Sequence, residues 1–254
     1  MTRMPPAQTT LQAVGLAKTY PGTRTPALTG FDLSLEAGEI VGLLGPNGAG
    51  KTTAISLMTG LLAPDSGRVR ICGADLHSQP RPARRAVGLV PQRVALYANL
   101  TAAENLAYFG RMHGMSGRGL AHRVVACLET VGLAEHAGVR VAAFSGGMRR
   151  RANLAVALVH APRVLFLDEP TVGIDPQSRH LILERLAALG RSGVSMLYTT
   201  HYTEEAERIC SRVAVIDKGR VIAQGAPAEL IRSRPGCRDL DALFLELTGK
   251  ELRD

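Results

Sequence analysis

Between residues 11 and 44 the apolar positions come in short runs. Leu11 to Ala17 and Phe31-Asp32-Leu33-Ser34-Leu35 read as strands, the second in clean alternation, with one face in a core and the Pro21-Gly22 pair as a turn between them. Glu39 to Leu44 is nearly all apolar, as in a strand covered on both faces. It runs into a glycine-rich turn and a helix from about Gly50 to Leu62, and Gly67 to Gly73 and Val87 to Pro91 read as further strands. From Thr101 the period changes to 3.6: Thr101 and Glu104 form a capping box, and Leu106 and Phe109 continue the apolar stripe. Helices at Leu120 to Val131 and from near Ser145 complete an all-helical stretch.

Strands at Val164 to Leu167, Val194 to Thr199 and Val213 to Ile216 then alternate with helices at Pro176 to Leu189 and Thr203 to Cys210. Such alternation predicts a mainly parallel sheet with crossover helices. The domain organisation expected is a flexible Pro/Thr-rich lead over 1–10, one domain over 11–231 with a helical lobe inserted at about 95–155, and a tail over 232–254. In that tail Leu240, Leu243, Phe244 and Leu247 share one face of a short amphipathic helix.

Composition narrows the function classes. The 254 residues carry a formal charge of +8, but the arginines are scattered, and the Arg149-Arg150-Arg151 run reads as a solvated helix face. Aromatics make up 4% with no Trp, which argues against a base-stacking platform for single strands, and DNA binding would rest on charge alone with no recognition motif, so no nucleic acid is expected as a partner. Cys72, Cys127, Cys210 and Cys237 are far apart, with neither zinc-ligand nor disulfide-framework spacing, which fits a reducing compartment. The start lacks the apolar core of a signal peptide, and no run approaches the roughly 18 apolar residues of a membrane span. The expectation is a cytoplasmic protein whose membrane role, if any, needs a partner.

Gly45-Pro46-Asn47-Gly48-Ala49-Gly50-Lys51-Thr52 fits the phosphate-loop pattern, with the required strand before it and helix after it. Glycines let backbone N–H groups converge on phosphate oxygens at a helix N-terminus. Lys51 is placed to reach the β- and γ-phosphates and the Thr52 hydroxyl to ligate Mg²⁺, and Thr53 closes the expected nucleotide-binding set. Val164-Leu165-Phe166-Leu167-Asp168-Glu169 is an apolar strand ending in two carboxylates, at the sheet edge where α/β folds bind ligands. Asp168 is expected to hold Mg²⁺ and Glu169 to polarise the attacking water. Phe144-Ser145-Gly146-Gly147-Met148 lies 23 residues before Asp168, counted from Ser145. It is a capped helix start, and equally a second anion site for a different nucleotide. The fold class expected is α/β: a P-loop NTPase core with a mainly parallel sheet, an N-terminal antiparallel β subdomain and an inserted α-helical lobe.

With these motifs in this order, residues 11 to about 231 resemble an ABC-type nucleotide-binding domain. The resemblance implies an ATPase using ATP and Mg²⁺, with Glu169, His201 and Lys51 as its catalytic residues. It matches Tyr20 to the aromatic residue that stacks on adenine and Gln92 to the glutamine that senses Mg²⁺ and links the lobes. Ser145, Gly146 and Gly147 match the signature that binds the γ-phosphate of a nucleotide held by the opposite subunit. Asp175 matches the acid at the dimer interface, and His201 the switch histidine at the γ-phosphate. Phe144 and Met148 depart from the usual Leu-Ser-Gly-Gly-Gln and bear on subclass.

Met148 to Arg151, Pro170 to Gln177 and Leu245 to Asp254 are similar to ATP-binding subunits of bacterial exporters of drugs, antibiotics and some lipids or polysaccharides. The partners implied are an integral-membrane permease, docking near Arg93, Val94, Leu96 and Tyr97, and a second ATP-binding subunit, expected to be another copy of this chain. The place implied is peripheral, on the cytoplasmic face of the cell membrane. The alternative is an ABC ATPase in a non-transport role such as iron–sulfur cluster assembly.

Overall fold

In the computed structural model, which describes residues 8–249, each apolar pattern finds its burial. β1 (Thr9–Lys18) and β2 (Leu28–Glu36) pair antiparallel and turn Leu11, Ala13, Leu33 and Leu35 into one core. β3 (Ile40–Leu44) is buried at every position and leads through a loop into α1 (Lys51–Thr59). β4 (Ser66–Ile71) and β5 (Ala74–Asp75) complete a four-stranded antiparallel sheet in the order β2-β1-β4-β5. α2 (Pro80–Arg85) and β6 (Val87–Val90) then lead into the helical lobe of α3 (Ala102–Met112), α4 (Gly117–Thr130) and α5 (Gly146–Leu158).

The chain returns to alternation with β7 (Val164–Asp168), α6 (Pro176–Arg191), β8 (Ser195–Thr200), α7 (Thr203–Ile209) and β9 (Arg212–Asp217). β10 (Arg220–Gly225), α8 (Pro227–Arg232) and α9 (Leu240–Thr248) follow. The second sheet has the order β10-β9-β3-β8-β7-β6, parallel throughout except for β10 against β9. Consequently the carboxyl ends of β3, β6, β7 and β8 open on the same edge, and the loops leaving them carry every strand-end residue singled out above.

Several boundaries differ from the pattern reading. Residues 9 and 10 belong to β1 rather than to a flexible lead: Thr10 is buried, and its hydroxyl lies 2.8 Å from Ser195 Oγ of β8, a link between the two sheets. Residues 1–7 of that lead and Lys250 to Asp254 of the tail lie outside the described residues. α2 and α8 span six residues each, too short for a 3.6 period to declare itself. The Thr101–Glu104 capping box forms as the sequence implied, with bonds of 3.2 Å to Glu104 N–H and 2.8 Å back to Thr101 N–H. In the tail, α9 buries Leu240, Leu243 and Phe244.

One pair in this framework makes stability depend on pH. The His160 ring stacks on His113 with centroids 3.7 Å apart, and its Nε2 lies 2.8 Å from the Val87 carbonyl. The carbonyl accepts, so Nε2 carries the proton and the buried Nδ1 is left without a hydrogen-bond partner among the described residues. Burial, then the positive partners His113 and Arg123, push the His160 pKa down from 6.5 to about 4. The neutral ring is therefore the folded form: its contribution is full above pH 6.5 and is lost as the pH falls toward 4. The slope is smaller than the ideal of about 1.4 kcal/mol per pH unit because the ring is partly solvated. Melting temperatures from pH 7.5 to 4.5 should fall more steeply for the parent than for His160→Gln. Parallel curves would refute the linkage.

Candidate nucleotide site

The loop between β3 and α1 is fixed by close backbone approach. A Cβ on Gly45 would stand 2.5 Å from the Ile216 carbonyl oxygen, and Gly50, at φ 108°, packs against Ala27 in the same manner at 2.6 Å. Gly50 is also the N-cap of α1 and offers no capping side chain, so the first-turn N–H groups are left for an anion. Lys51 folds back over the loop, its Nζ donating to the carbonyls of Gly45 at 2.6 Å and Pro46 at 3.1 Å. Burial lowers its pKa, against the opposing pull of Glu169 and Asp168.

β7 carries the two acids to the same place. Asp168 Oδ2 accepts from the Thr52 hydroxyl at 3.2 Å and Oδ1 from Thr199 at 2.9 Å, while burial raises its pKa. Glu169 adopts φ 48°, a left-handed conformation that costs a non-glycine residue about 1–3 kcal/mol and that the surroundings must enforce. They do so in part through its N–H, which donates to Thr199 Oγ1 at 2.9 Å. Three groups then converge on the Glu169 carboxylate: Gln92 Nε2 at 3.0 Å, His201 Nδ1 at 3.6 Å and Lys51 Nζ at 3.9 Å. Residues separated by 77 positions in the chain thus meet over one carboxylate. The Tyr20 hydroxyl lies 3.2 Å from Thr53 Oγ1 on α1, with the residue 41% exposed.

Ser145, Gly146 and Gly147 sit elsewhere, at the start of α5. The Ser145 hydroxyl caps that helix by accepting from Met148 N–H at 3.2 Å. Their neighbours from the core are at α6: a Cβ on Gly147 would stand 2.2 Å from Ser178 Oγ and 3.3 Å from Asp175 Oδ2. Asp175 caps α6 through Ser178 N–H at 2.9 Å, and such backbone bonds lower its pKa. The signature segment and Asp175 therefore share one corner, with Ser145, Gly146 and Asp175 exposed and Gly147 buried.

The Arg149–Arg151 run is only in part a solvated face, with Arg149 exposed and Arg150 and Arg151 half-buried. Arg149 donates to the Ala142 carbonyl at 2.9 Å, and Arg151 to those of Val131 and Gly132 at 3.1 and 2.9 Å. Arg150 donates to the carbonyls of Gln92 and Val172, tying the signature helix to the loops on either side of Glu169. Nothing in a run of three arginines tells which carbonyl each will reach; Thr199 was likewise missed, as a plain strand residue.

The profile of the ABC transporter family matches residues 28–172, more than half of the chain. The linearmycin resistance ATP-binding protein LnrL of Bacillus subtilis is 46% identical over 220 residues, covering 87% of this chain and 70% of its own. The Nod factor export ATP-binding protein I of Burkholderia lata is 50% identical over 210 residues, covering 83% and 69%. Among solved structures, an ATP-binding subunit of an ABC transporter aligns with a TM-score of 0.85 and 32% identity over 94% of this chain and all of the other. A dimeric ATP-binding cassette in a post-hydrolysis state with ADP and Pi aligns with a TM-score of 0.77 and 27% identity over 85% of this chain and 98% of the other.

Proposed function

Given that this chain belongs to the ABC transporter family and is one of its ATP-hydrolysing subunits, we propose that it drives export through a separate membrane permease, from the cytoplasmic face of the membrane. The observation that carries the catalytic part is the convergence of Gln92, His201 and Lys51 on Glu169. Relatives named for linearmycin resistance and Nod factor export favour an exporter over a role in iron–sulfur assembly. Among the described residues no helix is long and apolar enough to cross a membrane.

In this reading Gly45, Pro46, Asn47, Gly48, Ala49 and Gly50 cradle the phosphates of ATP, with Thr53 beside them and Tyr20 against the adenine. The Lys51 ammonium leaves its carbonyls to meet the β- and γ-phosphates, exchanging neutral acceptors for charged ones. Mg²⁺ fits the donor set: the Thr52 hydroxyl, the Asp168 carboxylate and the Gln92 amide oxygen are hard ligands, and burial of Asp168 leaves its carboxylate in want of positive charge. Bound there, the ion supplies charge neutralisation at the β- and γ-phosphates. Glu169 takes the proton of the attacking water, and His201 orients that carboxylate and reaches the γ-phosphate. Ser145, Gly146 and Gly147, on the corner shared with Asp175, serve the nucleotide of a second copy in a head-to-tail dimer. Closure of that dimer is passed to the permease at Arg93, Val94, Leu96 and Tyr97; Val94 and Tyr97 are exposed.

Vesicles containing the copurified permease test the direction. With ATP supplied on the side of this subunit, cargo should move away from that side, and Glu169→Gln should stop it. Movement toward the ATP-facing side, or full function with no membrane protein bound, would overturn the exporter reading.

A further inference from the structure

Behind the site lies a buried carboxylate that the proposed chemistry does not use. Glu205, on the first turn of α7, is 3% exposed. Its Oε2 accepts from three hydroxyls at once: Tyr198 at 2.5 Å, Thr200 at 2.8 Å and Thr171 at 2.9 Å. Its Oε1 makes no hydrogen bond and faces Arg179 Nε of α6 at 3.6 Å. A buried carboxylate is costly, and hydroxyl donors and a distant guanidinium compensate it only in this arrangement.

The donors are not a random set. Thr171 stands two residues beyond Glu169, and Thr200 immediately precedes His201. The Thr200 hydroxyl also accepts from the N–H of Tyr202 at 3.0 Å, so His201 is held from both sides. The His201 and Tyr202 rings lie 4.2 Å apart, and the Arg179 guanidinium covers the Tyr202 ring at 4.5 Å. Burial and the adjacent Glu205 hold the Tyr198 phenol far above its ordinary pKa, so it remains a donor. One carboxylate oxygen therefore ties together the two loops whose tips meet as His201 Nδ1 and Glu169 Oε2, 3.6 Å apart.

We propose that Glu205 is a positioning residue for ATP hydrolysis, setting the separation of His201 and Glu169 by anchoring Thr200 and Thr171 from behind. It acts on turnover rather than on ATP affinity, because its hydrogen bonds go to Tyr198, Thr200 and Thr171, behind His201 and Glu169 and outside the phosphate loop. The proposal rests on the assignment of Glu169 and His201 made above.

Glu205→Gln keeps the shape and one acceptor oxygen, but turns an amide N–H₂ either toward Arg179 or into the hydroxyls. Its kcat should fall about tenfold while the KM for ATP stays within about twofold, at an unchanged circular dichroism spectrum. Thr171→Val removes a single donor and should lower kcat in the same manner, and Thr171→Ser, which restores the hydroxyl, should recover it. If Glu205→Gln fails to fold, the Thr171 pair decides alone. Parental kcat in the folded Glu205→Gln variant, or in Thr171→Val, overturns the proposal, as does a loss that appears in KM instead. Should Glu169→Gln itself turn over normally, the site assignment falls first; should it be inactive while Glu205→Gln is parental, only the role of Glu205 falls.

Discussion

Glu169→Gln is expected to hydrolyse ATP about 100-fold more slowly than the parent, or worse, while still binding it. The amide oxygen can go on accepting from Gln92 Nε2, now at 3.0 Å, and the left-handed backbone of φ 48° is no harder for Gln than for Glu. What disappears is basicity: an amide cannot take the proton of a water attacking the γ-phosphate. The negative charge facing Lys51 is lost as well, but Lys51 stays anchored on the Gly45 and Pro46 carbonyls, so ATP binding and the fold should survive. With the signature corner completing the site of a second copy, unhydrolysed ATP should hold the dimer closed. Size-exclusion chromatography in Mg-ATP beside a phosphate-release assay reads both effects. Parental turnover removes Glu169 as the base, and a folded, ATP-bound monomer removes the shared site.

Lys51→Ala should weaken Mg-ATP binding by about 100-fold, at the upper end for losing charge-assisted bonds to phosphate. The fold should survive, although Lys51 is buried and bonded to the carbonyls of Gly45 and Pro46. Burial makes the ammonium itself a costly group to hold, which offsets part of what its bonds to those carbonyls contribute. Nucleotide titration with circular dichroism as the folding control checks this. Unchanged affinity in a folded variant defeats the phosphate-loop assignment.

Which residues were legible in the chain depends on how local their physics is. The phosphate loop was, because backbone N–H groups converge on an anion only with glycine at fixed spacing, and a Cβ at Gly45 or Gly50 would strike carbonyl oxygens. Asp168 and Glu169 were, because an all-buried strand that ends in two acids delivers them to a sheet edge. The Ser145 cap and the Thr101–Glu104 box were too, since each bond spans three residues, whereas the Asp175 cap of α6 was not read from the chain. Arg150 and Glu205 were not. Their partners lie 58 and 22 positions away for Arg150, and for Glu205 the Thr171 hydroxyl is 34 away.

The sequence by itself thus determined the α/β class, the glycine-spaced loop between β3 and α1 and the two acids at the end of β7, since period, glycine spacing and chain order are written in adjacent residues. Tertiary structure alone decided that Gln92, His201 and Lys51 share the Glu169 carboxylate, that the signature segment packs against Asp175 and Ser178, and that an arginine run is spent on carbonyls. The reason is the parallel sheet order: β3, β8, β7 and β6 lie side by side although distant in sequence, and neighbouring strand ends, not neighbouring residues, set which side chains meet.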